Sequence, residues 1–142
     1  SYDTLVRSRI WRYNAGNGLW DTIAPPSPLW VGSLSFQQLL VDPANPQRWL
    51  LFVTEDGNRT ANVDSTGSVH VKSRSPLWIT HDAGASWQPM TLKVPQVNCS
   101  SCHVRFQNAA FSDAGHTILL LGSLIDGYSF KGYPLFWRGD AL

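Results

Sequence analysis

Charged residues, cysteine, glutamate and methionine are all scarce in this chain of 142 residues. Only 15% of the residues are charged and the formal net charge is +1, without a run of Lys or Arg, which argues against nucleic acid or an anionic membrane as the partner. No apolar run approaches the roughly 18 residues that a membrane-spanning helix needs. No segment combines a helical apolar period with helix caps. With 43% hydrophobic residues the chain can still bury a core, so we expect one soluble, β-rich unit without membrane insertion.

The clearest local pattern is the segment 76–87, which reads PLWITHDAGASW. Its residues 77–79 favour a strand, while Asp82 and Gly84 favour a tight turn. Trp87 begins a second apolar strand with a large side chain. The segment therefore predicts a β-hairpin.

The order Thr-x-Asp-x-Gly-x-Ser-Trp in this hairpin resembles the Asp-box, or bacterial neuraminidase repeat, which recurs in the blades of sialidase-like and sortilin-like β-propellers. An ordinary Asp-Gly hairpin in another all-β domain is the alternative. The resemblance implies an extracellular or cell-surface protein whose Asp-box side chains have a structural role. The matching positions are Thr80, Asp82, Gly84, Ser86 and Trp87.

Two sequence patterns occur more than once, as expected of stacked sheets. Residues 77–87 of the Asp-box-like segment align without a gap with residues 10–20, and residues 76–82 align with 134–140. A second pattern links 36–43 with 106–113 at an offset of 70 positions. We therefore predict an all-β fold of four-stranded antiparallel blades, a partial propeller of about two to three blades.

The repeats also divide the chain. There is no initiating Met and no signal peptide, so we expect a piece of a longer protein, with the remaining blades of that protein as partners. The expected parts are an outer hairpin of a preceding blade (1–24), a proline-rich crossover (25–35), a complete blade with the Asp-box (36–92), a crossover with both cysteines (93–104), and a partial blade that ends inside a third Asp-box-like turn (105–142).

Tryptophan is abundant, with seven residues in the chain. Tryptophans at equivalent strand positions usually fill the space between neighbouring sheets. We therefore expect Trp11, Trp20, Trp78 and Trp87 in the core.

Recognition is expected on three long connections, 55–75, 93–103 and 124–133, which the blade topology places at the end opposite the Asp-box turns. Within the first, 60–63 and 68–72 alternate apolar and polar residues around a turn, so we predict a protruding two-stranded excursion. Aromatic rings on these loops can stack on sugars, anchor a protein partner or fold back over the blade edge. The ligand-binding candidates are Arg59, Tyr128, Phe130, Lys131 and Tyr133.

The two cysteines lie in the sequence Cys-Ser-Ser-Cys-His. An even cysteine count in an extracellular protein predicts a disulfide between Cys99 and Cys102. With His103, the same residues match the haem c attachment pattern, which is the alternative. Free thiols or a metal site that includes two histidines form a third possibility. Apart from these alternatives, no cofactor or metal is expected.

Carboxylates matter because sialidases and xyloglucanase-type hydrolases are built on similar propellers, and glycoside hydrolysis commonly uses two of them. Asp56 and Asp126 are the candidates, although loop solvation and turn formation are the simpler roles. The Arg-Ile-Pro element of sialidases is not met, because Trp11 follows Arg9-Ile10, so no catalytic residue of that family carries over. The sequence thus favours a non-catalytic binding or assembly module that recognises a protein or a glycan, with a glycoside hydrolase as the alternative and a haem c protein as the second.

Overall fold

The computed structural model describes residues 10–26, 34–55, 60–71, 75–94, 101–112, 117–129 and 132–140. This part of the chain forms strands joined by turns and contains no helix, and so none that is long and apolar enough to cross a membrane. The strands are β1 (Ile10–Asn14), β2 (Leu19–Ile23), β3 (Leu34–Asp42), β4 (Asn45–Glu55), β5 (Thr60–Val63), β6 (Val69–His70), β7 (Leu77–Thr80), β8 (Gln88–Met90), β9 (Cys102–Ser112), β10 (Thr117–Asp126) and β11 (Gly132–Asp140).

The strands described form three antiparallel sheets, none of which closes on itself. Strands β1 and β2 form a two-stranded hairpin, β3-β4-β7-β8 form a four-stranded sheet, and β11-β10-β9-β5-β6 form a five-stranded sheet. The predicted all-β class is confirmed. The range 36–92 contains the four strands of one sheet and also β5 and β6, which belong to the five-stranded sheet.

The excursion between β4 and β7 does not protrude as the sequence predicted. Its two strands exist, but β5 pairs with β9, so that Ala61 lies opposite Val104 and Asn62 opposite His103. The reason is apolar burial, since the side chains of Ala61 and Val69 are both 2% exposed. The excursion thus belongs to the edge of the five-stranded sheet.

The second sequence repeat has a structural counterpart in two β-bulges. In β3 the register skips Gln37 between the pairs Phe36–Val53 and Gln38–Phe52. In β9 it skips Gln107, because Phe106 pairs with Gly122 and Asn108 with Leu121. An extra residue at the same place in both sheets, 70 positions apart, makes β3 and β9 equivalent strands.

The same strand register shows that the alignment of 134–140 with 76–82 is wrong by one residue. Leu51 of β4 pairs with Trp78, and its equivalent in β10, Leu120, pairs with Trp137. Trp137 therefore corresponds to Trp78, whereas aligning 134–140 with 76–82 matches Trp78 with Phe136. A one-residue slip moves every side chain to the other face of the sheet, so the distinction matters for burial.

The end of the described chain also differs from expectation. Gly139 and Asp140 lie in β11, paired with Ile118 and Thr117 of β10. They continue a strand at the place where a third Asp-box-like turn was expected. Residues 141 and 142 lie outside the described residues.

The core lies between the sheets, and the central strand β4 has both faces covered. Residues 49–53 are all at most 5% exposed. The rings of Phe52 and Phe106 lie 5.2 Å apart and join the four-stranded to the five-stranded sheet. On the opposite side of the four-stranded sheet, Ile10 and Ile23 of the hairpin are buried in the same core.

The tryptophan prediction is half right. Trp78 and Trp87 are partly buried against the core, but Trp11 is 57% exposed and Trp20 is 62% exposed. The register explains the difference, because Trp11 and Trp20 lie on the face of the β1–β2 hairpin opposite Ile10 and Ile23.

Candidate functional site

The polar side chains of the predicted hairpin at 76–87 bind their own turn. The Thr80 hydroxyl donates to Asp82 Oδ1 (2.6 Å) and accepts the N–H of Gly84 (3.0 Å). Asp82 Oδ1 accepts the N–H of Ser86 (2.8 Å), and Oδ2 accepts the Ser86 hydroxyl (2.5 Å). These contacts satisfy turn N–H groups that no strand partner reaches, so the motif works as an internal cap of the hairpin.

The same hydrogen bonds set the charge of the turn. The Ser86 hydroxyl, then the Thr80 hydroxyl and the Ser86 N–H, lower the pKa of Asp82 to about 2 by stabilising its ionised form. A carboxylate held in its ionised form by three donors is poorly suited to act as a general acid at neutral pH.

The turn is also the place where the hairpin and the four-stranded sheet meet. Gly84 adopts a φ of +90°, and a Cβ atom there would lie 2.4 Å from Ile23 Cγ2. Trp87 Nε1 donates to the carbonyl of Ala24 (3.0 Å), and the Trp87 ring meets the Trp49 ring edge to face. These contacts join β1–β2 to the four-stranded sheet.

The second region of interest is a corner of the five-stranded sheet, formed by residues 101–103 and 126–129. Asp126 Oδ1 accepts the N–H of Tyr128 (3.0 Å), and Oδ2 accepts the hydroxyl of Ser129 (2.7 Å). Gly127 donates its N–H to the carbonyl of Ser101 (3.2 Å). The turn after β10 is thus fixed by its own carboxylate and by the segment that enters β9.

Two of the five predicted ligand-binding residues fall at or near this corner. The side chain of Tyr128 is 76% exposed and that of Tyr133 is 51% exposed. The structure brings together Ser101 and Gly127, which belong to two of the three predicted recognition segments. Arg59, Phe130 and Lys131 lie outside the residues whose side chains the structure describes, and so does the carboxylate candidate Asp56.

Cys102 and His103 lie in β9 and not in a connection. Cys102 is buried and pairs with Asp126, while His103 lies between Asn62 and Ile125. Cys99 is outside the described residues, so both the disulfide and the haem attachment stay predictions. Among the residues described, no three His, Cys, Asp or Glu side chains are grouped so that they can hold a metal ion.

One polar cluster was missed by sequence reasoning. Asp64 Oδ1 accepts N–H groups from Thr66 (2.8 Å) and Ser68 (3.0 Å), and Oδ2 lies 2.8 Å from His70 Nε2. The hydroxyl of Thr66 and the ring of His70 are the chief causes that lower the pKa of Asp64. The sequence Asp-Ser-Thr-Gly-Ser predicted the turn, but not that its carboxylate would also reach His70.

A second missed feature is a buried ion pair in the turn between β3 and β4. Asp42 Oδ2 accepts a 2.7 Å hydrogen bond from Arg48 Nε, and the Asp42 side chain is fully buried. Burial alone would raise the pKa of Asp42, but hydrogen bonds from Ala44 and Arg48 outweigh it and lower that pKa. The pair fixes the turn that lies next to the turn of Asp82, where Ala83 donates its N–H to the carbonyl of Gln47 (2.8 Å).

Comparison of the chain with protein-family models, with curated proteins and with solved structures finds no match.

Proposed function

We propose that this chain is a non-catalytic binding or assembly module of an extracellular Asp-box β-propeller, and that it recognises a protein or a glycan through the corner. The antiparallel sheets are then blades or parts of blades. The equivalent bulges at Gln37 and Gln107 and the equivalent tryptophans Trp78 and Trp137 support such a repeat.

The main support for the corner as the recognition surface is that Tyr128 is exposed while its turn is fixed. Its ring is 76% exposed, although its backbone is held by Asp126 and the preceding Gly127 is bonded to Ser101. An aromatic side chain on a fixed turn loses little conformational entropy on binding, which makes it an efficient anchor for a sugar ring or a protein surface.

Hydrolysis is less well supported than binding. Both carboxylate oxygens of Asp126 accept hydrogen bonds from the turn that contains it, which is the arrangement of a turn residue. A glycosidase would need a second carboxyl group across a sugar-sized gap. The predicted partner, Asp56, lies outside the described residues.

Titration of the ¹⁵N-labelled chain with defined oligosaccharides tests the glycan as partner. Sialyllactose, xyloglucan oligosaccharides, chitotriose and mannotriose are suitable probes. We expect at least one to cause saturable chemical-shift changes concentrated at 101–103 and 126–129, and Tyr128→Ala to abolish them. Tyr13→Ala is the matched control, because Tyr13 is also exposed but lies on the β1–β2 hairpin.

Two results would contradict the assignment. Shift changes that centre away from the corner, or that survive Tyr128→Ala, would overturn the proposed surface. Turnover of an aryl glycoside that is lost in Asp126→Asn would overturn the non-catalytic function. If none of the oligosaccharides binds, these glycans are excluded and a protein becomes the favoured partner.

A further inference from the structure

Two apolar faces of the described chain are open, and they lie on different sheets. The first, which we call the tryptophan face, is the side of the β1–β2 hairpin that carries Trp11, Tyr13 and Trp20, each more than half exposed. The second, the β10–β11 face, carries the cross-strand pair Leu121 and Phe136, which are 48% and 62% exposed. Large apolar side chains grouped on one face mark an interaction surface.

The interior of the chain shows what covers faces of this kind. Trp11 and Trp20 align with Trp78 and Trp87 of the Asp-box hairpin. Trp87 is partly covered, since its ring nitrogen donates to Ala24, and its neighbour Trp49 lies next to Gly84 and Ile23. A tryptophan-bearing face is therefore covered by the aliphatic face of the sheet that precedes it in the chain.

The β10–β11 face has a covered counterpart as well. Leu121 and Phe136 hold the register positions that Phe52 and Leu77 hold in the four-stranded sheet. Phe52 and Leu77 are 2% and 0% exposed, and Phe52 packs on Phe106 of the five-stranded sheet. A face equivalent to the β10–β11 face is thus covered by the aromatic face of the sheet that follows it in the chain.

We propose that the two open faces are complementary, so that copies of this chain associate head to tail. The β10–β11 face of one copy covers the tryptophan face of the next, as the sheets of one chain already cover one another. Arg105 lies on the β10–β11 face, and a guanidinium group adds to the contact when it lies over an indole ring. Because the two faces differ, the contact is heterologous and not two-fold symmetric.

Two complementary variants test this arrangement. Trp20→Ser impairs the tryptophan face and leaves the β10–β11 face intact, and Phe136→Ser does the reverse. Both side chains are 62% exposed, so neither substitution removes a core contact. Near-ultraviolet circular dichroism and urea unfolding verify that each variant folds, and Trp11→Lys serves as a second variant of the tryptophan face.

Sedimentation velocity then decides among the outcomes. We expect wild-type chain to form larger species as its concentration rises, and each variant alone to remain monomeric. An equimolar mixture of the two variants should form a dimer, because one intact face of each kind is present. Tyr128→Ala should associate like wild type. Self-association is therefore tested independently of the proposed binding function, which depends on Tyr128.

Three outcomes would overturn the proposal. The first is a wild-type chain that stays monomeric at all concentrations. The second is a folded Trp20→Ser or Phe136→Ser variant that associates as well as wild type. The third is a mixture of the two variants that remains monomeric, since a heterologous contact requires them to complement each other.

Discussion

Gln38 and Asn108, 70 positions apart in the chain, are hydrogen-bonded to each other, with Gln38 Nε2 donating to Asn108 Oδ1 (3.4 Å). Each residue directly follows the bulge of its own strand, Gln38 in β3 and Asn108 in β9. Asn108 also accepts the N–H of Ala109 through the same oxygen (2.8 Å). Equivalent positions of the two sheets therefore meet, which places β3 and β9 next to each other.

Gly84 is a position where we expect a single added methyl group to destabilise the fold strongly. A Cβ atom would lie 2.4 Å from Ile23 Cγ2 and 3.2 Å from Trp49 Cζ3, and the φ of +90° disfavours any L-residue. Gly84→Ala should reduce the free energy of unfolding by about 3 kcal/mol, through backbone strain and overpacking. Urea unfolding measures the change. Gly132→Ala is the control, since nothing lies within 4 Å of its added Cβ, and it should stay within about 0.5 kcal/mol of wild type.

Acid should destabilise the fold partly through Asp82. Its pKa falls from an ordinary value of 3.8 to about 2 in the folded chain. Between these values the unfolded chain binds a proton at Asp82 more readily than the folded chain does. The contribution of Asp82 to the stability of the fold is therefore complete above pH 3.8 and is lost as the pH falls through 2. Urea midpoints measured in steps across this range should fall, and should fall less steeply in Asp82→Asn. Equal slopes for both proteins would show that Asp82 makes no such contribution.

The buried pair of Asp42 and Arg48 should show strong coupling. Arg48→Met leaves a fully buried carboxylate without its charged partner and should cost about 3 to 5 kcal/mol of unfolding free energy. Adding Asp42→Asn removes that buried charge and keeps an oxygen that can accept the N–H of Ala44. The double variant should therefore be more stable than Arg48→Met alone. A double-mutant cycle from urea unfolding measures the coupling, and strictly additive effects would contradict it.

The predicted bond between Cys99 and Cys102 can be measured directly. Without reductant, the intact chain should resist alkylation by iodoacetamide under denaturing conditions. Since the loop is short, reduction should lower the free energy of unfolding by about 2 kcal/mol. Cys99→Ser should lower it similarly and leave Cys102 open to alkylation. A Soret band together with a covalent haem adduct would instead favour the alternative.

The sequence predicted the strands well because their signals are local. Apolar runs such as 49–53 and the alternation in 60–63 identify strands, and Asp82-Ala83-Gly84 identifies a turn through side chains that bond their own backbone. The repeat of Phe36-Gln37 and Phe106-Gln107 related two equivalent strands, but it did not predict the bulge that each of them carries.

The predictions that proved wrong concern which face of a strand is covered and which other strand it pairs with. Trp11 and Trp78 occupy matching places in aligned hairpins, yet only Trp78 has a neighbouring sheet to cover it. Aligning Trp78 with Phe136 ignored register, which depends on pairing with a distant strand. The partner of β5 could not be predicted either, because its pairing with β9 joins residues 60–62 to 103–105. As for the corner, the sequence placed its loops at one end of the sheets and gave turn formation as the simpler role of Asp126, but it did not show that residues 101 and 127 would be in contact.

The detour through β5 and β6 has a consequence for how the molecule assembles. The chain leaves the four-stranded sheet after β4, adds two strands to the edge of the other sheet, and then returns to complete the first. In tandem-repeat proteins each unit touches only its neighbours and folding can begin anywhere. Here β5 pairs with β6 on one side, and residues 60–62 gain their second strand partner only when residues 103–105 are in place. A protein ended after residue 94 would lack that partner, so the two sheets should unfold in one cooperative transition and resist separation into independent halves.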